Sequence, residues 1–453
     1  MKPLHFYFYK GYYMKRIAMK QKLTMFFLMT ALAVLLTGCG GSATTGTSRE
    51  SASDSSSKAE NQTVDNGTDT SDPVDTKQDS KKNDDDDSEE SGDVLFTKRD
   101  LEQSPDLTGA QTLTVKDGET LSINAEGTYI ITGTAKNCTI KVDADKKAKI
   151  QLVLQDVTVT NTDFPAIYVV SADKCFVTLQ GSNSLSVTGS FRSDGETNTD
   201  AVIYSREDLT FNGTGTLTLT SSENGISGKD DMKFTGGTYV ITSDLDAIEA
   251  NDSVAVSDGT FTIVTQKDGI HSENDDDNTV GWIVIAGGTM NVQAKSDCLQ
   301  ATTYVRIDDG NLTLKGSEGI EGTYIEINGG TIDLYGSDDG INASRKSKSY
   351  ATPTVVINGG DLKIEVGRGD TDAIDANGDI IVNGGTIDIT STVSSFDYDG
   401  KAEFNGGTII INGTQVDSIP KSMMGPGGWG GPGGQDGQNN PGGHGPGGRG
   451  SRQ

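Results

Sequence analysis

Acids recur in this chain at a spacing that could gather cations. Asp246, Asp268, Asp297, Glu318, Asp339 and Asp372 each stand directly before a small residue and then Ile or Leu. Just after that aliphatic comes a polar position, occupied in turn by Glu249, His271, Gln300, Glu321, Asn342 and Asp375. Carboxylates brought one above another repel unless they splay into water or a cation neutralises them. Oxygen-only donors at flexible spacing suit Ca²⁺ rather than zinc or copper. The competing reading is that each Asp caps a tight turn through its own side chain. It weakens where two acids come together, as in Asp246 with Glu249, Glu318 with Glu321, and Asp372 with Asp375.

A second set is aromatic. Trp282, Tyr304 and Tyr324 fall at equivalent positions of consecutive repeats, each preceding an inward-reading aliphatic (Ile283, Val305, Ile325). Outward aromatics in a row offer flat apolar faces to the C–H side of a sugar ring, or else they form a ladder that only covers strand edges. Gln300 and Glu321 lie a few residues upstream, and His271 one repeat earlier, so hydrogen-bonding groups would flank such a strip. Nucleophilic catalysis finds little support. Of the 3 histidines, His5 and His444 lie near the chain's ends and His271 is alone, too few for a Ser-His-Asp set.

What would position these residues is a repeat. Gly-Gly-Thr or a close variant recurs at Thr235–Thr238, Ser257–Thr260, Ala286–Thr289, Asn328–Thr331, Asn358–Asp361, Asn383–Thr386 and Asn405–Thr408. Strands alternate on either side of it, as in Val305-Arg306-Ile307 and Asn311-Leu312-Thr313-Leu314, and a third short strand follows each acidic turn. Three short strands per ~20–25 residues predict an all-β, single-stranded parallel β-helix rather than a propeller or a helical repeat. Equivalent residues would then stack ~4.8 Å apart. Glu273–Val280 and Ser344–Thr352 interrupt the spacing and read as outside loops. Looser strands from Leu113 to Val187 read as opening coils.

The flanks differ in kind. Residues 1–39 read as an export signal: Met14-Lys15-Arg16, an apolar Leu23–Leu36, then Leu36-Thr37-Gly38-Cys39. That last tetrapeptide is similar to a bacterial lipobox, which implies lipidation of Cys39 and a place on the extracellular face of the bacterial membrane, held by the lipid anchor alone. Residues 40–93, rich in Ser, Thr and Asp, predict a disordered tether, and 421–453 a disordered Gly/Pro-rich tail. Residues 94–420 are left for the β-helix. A net charge of −28 argues against nucleic acid as a partner. Beyond Cys39 the cysteines are Cys138, Cys175 and Cys298, an odd number that argues against a disulfide framework, and Cys298 stands where the repeat wants a small buried residue.

Together Gly127–Gly133, the Gly-Gly-Thr repeats, the Asp-Gly/Ala-Ile turns and the Gly/Pro-rich tail resemble bacterial cell-surface carbohydrate-binding β-helix proteins, over roughly 107–415. The resemblance implies a right-handed parallel β-helix with bound calcium at the acidic turns, distantly akin to family 9 polysaccharide lyases, and a polysaccharide partner. It also supplies a rival, since lyases of that shape pair Ca²⁺ with a neutral Lys or Arg base. Lys267, Lys295 and Lys315, close to Asp268, Asp297 and Glu318, are the residues such a reading would use. A structural surface protein or adhesin is the second alternative. The expectation carried forward is a calcium-bearing, polysaccharide-binding surface lipoprotein that does not cleave its ligand.

Overall fold

A computed structural model describes residues 95–420 except Asp370. The signal segment with Cys39, the tether and the Gly/Pro-rich tail lie outside the described residues. Among the described residues the chain is all β, with no helix, in one sheet of 22 strands and one of 12. Nearly every strand pairs in parallel with its counterpart one repeat further on. Tyr304–Ile307 runs beside Tyr324–Ile327, Asn311–Gly316 beside Thr331–Gly336, and Ile320–Gly322 beside Ile341–Ala343. The first two strands of each repeat belong to the larger sheet and the third, short one to the smaller.

Period-2 alternation explains which face is buried. Asn311–Gly316 and Thr331–Gly336 expose Asn311, Thr313, Thr331 and Asp333 and bury Leu312, Leu314, Ile332 and Leu334. The third strand places one large apolar residue in the core. Ile226, Ile248, Ile270, Leu299, Ile320, Ile341, Ile374 and Phe396 stand in register, each at most 1% exposed. Each such side chain contributes roughly 1.5–3 kcal/mol by leaving water. A sequence only 33% hydrophobic therefore suffices, because each strand needs few inward residues. Cys298 is buried and unpaired, filling the small-residue place before Leu299.

The Gly-Gly-Thr phrase has a steric cause. Gly330 and Gly385 hold φ of +90° and +85°. A Cβ on Gly385 would stand 2.7 Å from the carbonyl oxygen of Gly360, its equivalent one repeat back. Left-handed backbone and close stacking both require glycine there. Beside this bend runs an amide ladder: Asn358 Nδ2 donates to Asn328 Oδ1 at 2.8 Å, Asn383 to Asn358 at 2.8 Å, and Asn405 to Asn383 at 2.9 Å.

Two devices finish the described region. Thr408–Ile411 turns back through Asn412-Gly413, both at positive φ, and pairs antiparallel with Thr414–Val416. That hairpin covers an edge which would otherwise invite pairing with another chain. At the other end, residues 95–103 lie across the larger sheet. Asp100, fully buried, binds Lys174 at 2.8 Å, Lys233 at 3.4 Å and the Thr210 hydroxyl at 2.9 Å. Gln103 accepts from the Gly213 N–H and donates to the Thr235 carbonyl.

Candidate functional site

The third strand of each repeat sets up two rows of polar side chains. In the turn before it, successive acids are tied by backbone bonds. Asp246 Oδ1 accepts from the Asp268 N–H at 3.0 Å, Asp268 Oδ1 from Asp297 N–H at 2.9 Å, and Asp339 Oδ1 from Asp372 N–H at 2.8 Å. One oxygen of each thus does turn chemistry across repeats, leaving the other to face its neighbours. On the outer side of the strand, Glu249, His271, Gln300, Glu321, Asn342 and Asp375 stand in register, as the repeat predicts.

The expected single acidic column breaks into separate sets. Asp246, Asp268 and His271 converge, with ligating atoms within 4.8 Å of one another. Here a lysine of the protein already pairs with the acids, with an imidazole beside it. Lys267 Nζ lies 2.8 Å from Asp246 Oδ2, and His271 Nδ1 lies 3.3 Å from the same oxygen. Burial pushes the Asp246 carboxyl upward, but His271 and Lys267 hold it below the ordinary range. Desolvation works against a charged His271, yet Asp246 raises its pKa overall. His271 is 6% exposed, with Nε2 3.3 Å from Glu273, so it sits among carboxylates rather than on an open sugar-binding surface. Glu249 turns away from this cluster, accepting from Asn224 and Ser227 at 3.0 Å each.

Asp297, Glu318 and Glu321 form the second cluster, again within 4.8 Å. Its chemistry is different because its donors are all oxygens. Lys346 Nζ and Gln300 Nε2 both reach Glu321 Oε2 at 2.7 Å, and the Ser344 hydroxyl donates to Oε1 at 3.0 Å. Glu318 Oε1 accepts from Asn342 Nδ2 at 3.1 Å, while Glu318 Oε2 and Asn342 Oδ1 are buried with no hydrogen-bond partner. Burial, then Glu321 and Asp297, push Glu318 up to about 8; burial, then Asp268 and Glu321, push Asp297 up to about 7. Two orphaned buried oxygens beside crowded carboxylates are what a hard cation would satisfy. Near the far end Asp375 is likewise raised to about 7, by burial and then by Asp339 and Asp372.

The aromatic set is in register and largely as expected, except in exposure. Trp282 and Tyr304 stack at 5.6 Å with planes 3° apart. All three expected aromatics are half-buried, and Tyr324 is stacked by Tyr350 at 4.6 Å and 12°. Tyr350 belongs to the Ser344–Thr352 insertion, which the sequence marks only as an outside loop. That insertion joins the two rows. Lys346 reaches Glu321, Tyr350 covers Tyr324, and Ser347 Oγ and Lys348 N–H meet Asn278 Oδ1 in the other insertion at 3.3 and 3.2 Å. Between the insertions lies a cleft of about 410 Å³ bordered by Asn278, Thr279, Thr303, Tyr304, Ser349 and Tyr350.

Sequence reasoning also missed Asp208, Asp230 and Asp231, a third acidic group at the opposite corner of the repeat. The available signal was Asp208 and Asp231 preceding the paired core residues Leu209 and Met232. Of the lysines considered as bases, one is committed to a carboxylate. Lys267 is held protonated: desolvation lowers its pKa, but Asp246 raises it overall. Lys315 lies 5.7 Å over the Tyr335 ring, and Lys295 is exposed.

These features define an all-β repeat protein whose stacked positions carry acids on one row and aromatics on another. By sequence, the chain belongs to the family described as carbohydrate-binding domain-containing protein, which matches residues 117–371 and 316–418. A relative of that description from Acetivibrio thermocellus is 42% identical over 205 residues, 44% of this chain and 71% of the relative. Among solved structures, a polysaccharide lyase-like protein from C. thermocellum, in a gadolinium derivative, has a TM-score of 0.42 and 28% identity. That match covers 49% of this chain and 93% of the other.

Proposed function

We propose that this chain binds polysaccharide without cleaving it, through a calcium-bearing right-handed parallel β-helix displayed as a lipoprotein on the outside of the cell membrane. The observation that carries the reading is the pair of aromatic stacks, Trp282 on Tyr304 and Tyr324 on Tyr350, beside a cleft bordered by both insertions. Flat rings next to hydroxyl and amide groups suit a pyranose, whose C–H face packs on a ring while its hydroxyls hydrogen-bond. Family membership supports the same ligand class.

Support for the β-helix is the repeat-to-repeat parallel register, and support for right-handedness is the strong general preference of parallel crossovers for that hand. Calcium is supported by the Asp297, Glu318 and Glu321 cluster, whose donors are oxygens and whose Glu318 Oε2 is unsatisfied. Bound there, Ca²⁺ would neutralise the carboxylates and offer open positions to sugar oxygens. The acidic turns at Asp246, Asp268, Asp339, Asp372 and Asp375 are further candidates, the first two weakened by Lys267. The lipid anchor rests on Leu36-Thr37-Gly38-Cys39.

Retention of the soluble domain on insoluble polysaccharides, with and without chelator, tests the reading. The double variant Trp282→Ala/Tyr304→Ala is expected to lose retention while keeping its circular dichroism. Unchanged retention would remove the aromatic strip from the site. Unsaturated uronates released from pectate in the presence of Ca²⁺ would replace binding with lyase activity.

A further inference from the structure

The outward row of the smaller sheet changes character along its length. Through the later repeats it carries Glu249, His271, Gln300 and Glu321, but its earlier positions are Lys141, Tyr168 and Tyr204, in the same register. Outward tyrosines on a solvated face should be exposed, yet Tyr168 and Tyr204 are 2% and 3% exposed. With Ala201, Phe164 and Val170 they form a small apolar cluster of their own, separate from the main core. What covers them includes the segment between Val187 and Ala201. Arg192 N–H donates to the Asp163 carbonyl at 2.9 Å, and the Thr199 hydroxyl to the Arg192 carbonyl at 2.7 Å. The Tyr168 hydroxyl donates to Asp194 Oδ2 at 3.2 Å.

This fold-over leaves a mostly polar cleft of about 300 Å³, whose lining includes Asn137, Lys141, Asp163, Phe164, Arg192 and Asp194. It lies on earlier repeats than the Trp282–Tyr304 strip and uses none of its residues. The Arg192 guanidinium lies 4.0 Å over the Phe164 ring, and Phe164 meets Tyr168 edge-on at 5.6 Å. Asn137 commits its side-chain oxygen to Thr162, whose N–H and hydroxyl both donate to it at 2.9 Å. Its NH₂ is the group left to donate outward. The lining therefore combines an aromatic ring, one face of it covered by Arg192, with side-chain donors on Asn137, Lys141 and Arg192 and acceptors on Asp163 and Asp194.

We propose that this cleft is a second glycan subsite, taking one neutral pyranose unit of a soluble or chain-terminal oligosaccharide. The inference rests on the carbohydrate-binding reading above and extends it to a different place on the chain. Neutrality is argued from the charges. Lys141 already faces Asp143 at 3.3 Å and Arg192 faces Asp163 at 3.4 Å. A uronate carboxylate would have to break those pairs and meet Asp163 and Asp194 at close range. A sugar hydroxyl, both donor and acceptor, can instead bridge a cation and a carboxylate without disturbing either.

Calorimetric titration of the full chain with neutral gluco-, manno- and xylo-tetrasaccharides, and with tetragalacturonate, tests this in chelator. At least one neutral tetrasaccharide should bind, and Arg192→Ala and Lys141→Ala should each weaken it about tenfold, the loss of one charged hydrogen bond. The Lys141 side chain reaches solvent, so Lys141→Ala should keep the wild-type melting temperature. Arg192 also packs over Phe164, so Arg192→Ala should lower it slightly, and its binding is measured well below that melting temperature. Retention on insoluble polysaccharide should be unchanged in these variants and lost in Trp282→Ala/Tyr304→Ala. Neutral binding that survives both cleft substitutions overturns the subsite. So does retention on polymer with no tetrasaccharide bound, or tighter binding of tetragalacturonate than of any neutral sugar. Absence of both polymer retention and tetrasaccharide binding would overturn the carbohydrate reading as well.

Discussion

Replacing Glu318 with Gln should make the protein more stable without calcium and less stable with it. The carboxyl is pushed from an ordinary 4.5 to about 8 by burial and by Glu321 and Asp297. A raised carboxyl pKa means that the ionised form is disfavoured in the folded state. The penalty is absent below pH 4.5, grows as pH rises, and is complete above about 8. At pH 7 the gap from 4.5 sets an upper bound of about 3 kcal/mol, at 1.36 kcal/mol per pH unit. Glu318 is partly exposed, so solvent screening leaves roughly 1.5 kcal/mol. Glutamine keeps the shape, and its oxygen can still accept from Asn342, so most of that should return as stability. In chelator at pH 7 the variant should melt about 2 °C above wild type.

Calcium reverses the order. At a concentration 100 times its dissociation constant it should stabilise wild type by about 2.7 kcal/mol, and Glu318→Gln, lacking one anionic ligand, should gain far less. Differential scanning fluorimetry at pH 5, 7 and 8, in chelator and in calcium, reads both effects. The chelator difference should widen with pH. A variant less stable than wild type in chelator, or equally stabilised by calcium, would refute the assignment of Glu318 as a crowded cation ligand.

Asp100→Asn should release the strap formed by residues 95–103, leaving Lys174 and Lys233 without their buried counter-charge at a cost of about 3 kcal/mol. Protease cleavage near residue 100 should then precede cleavage of the repeats; equal resistance in both proteins would contradict this. Burial opposes ionisation of Asp100, but the two lysines hold it at about 2, against an ordinary 3.8. Its stabilisation, about 2 kcal/mol, is present above pH 3.8 and lost as pH falls through 2. Gly385→Ala forces a Cβ against the Gly360 carbonyl at positive φ and should cost about 2–4 kcal/mol. Hydrogen exchange should quicken first in Thr386–Thr390 and the strands paired to it, and a wild-type exchange pattern would count against the close stacking.

The sequence alone determined what repeats and where. Gly-Gly-Thr announces a bend that only glycine can make, β-branched alternation announces strands, and an aliphatic after each acid announces the core row. These are local signals, imposed by sterics and by period, so they survive without knowledge of partners. They also place Trp282, Tyr304 and Tyr324 in one column and align Glu249, His271, Gln300 and Glu321.

What those rows do was decided only in three dimensions. Whether an acid awaits a cation depends on which lysine reaches it from another repeat, and Lys267 reaches Asp246 while Glu318 is left with an orphaned oxygen. Insertions have no period to betray them. Tyr350 and Lys346 meet Tyr324 and Glu321, and Arg192 and Asp194 fold toward Phe164 and Tyr168, through contacts the repeat does not encode. Period places a residue on a face. Long-range packing decides whether that face is open, paired or covered, because burial and charge are set by neighbours distant in sequence.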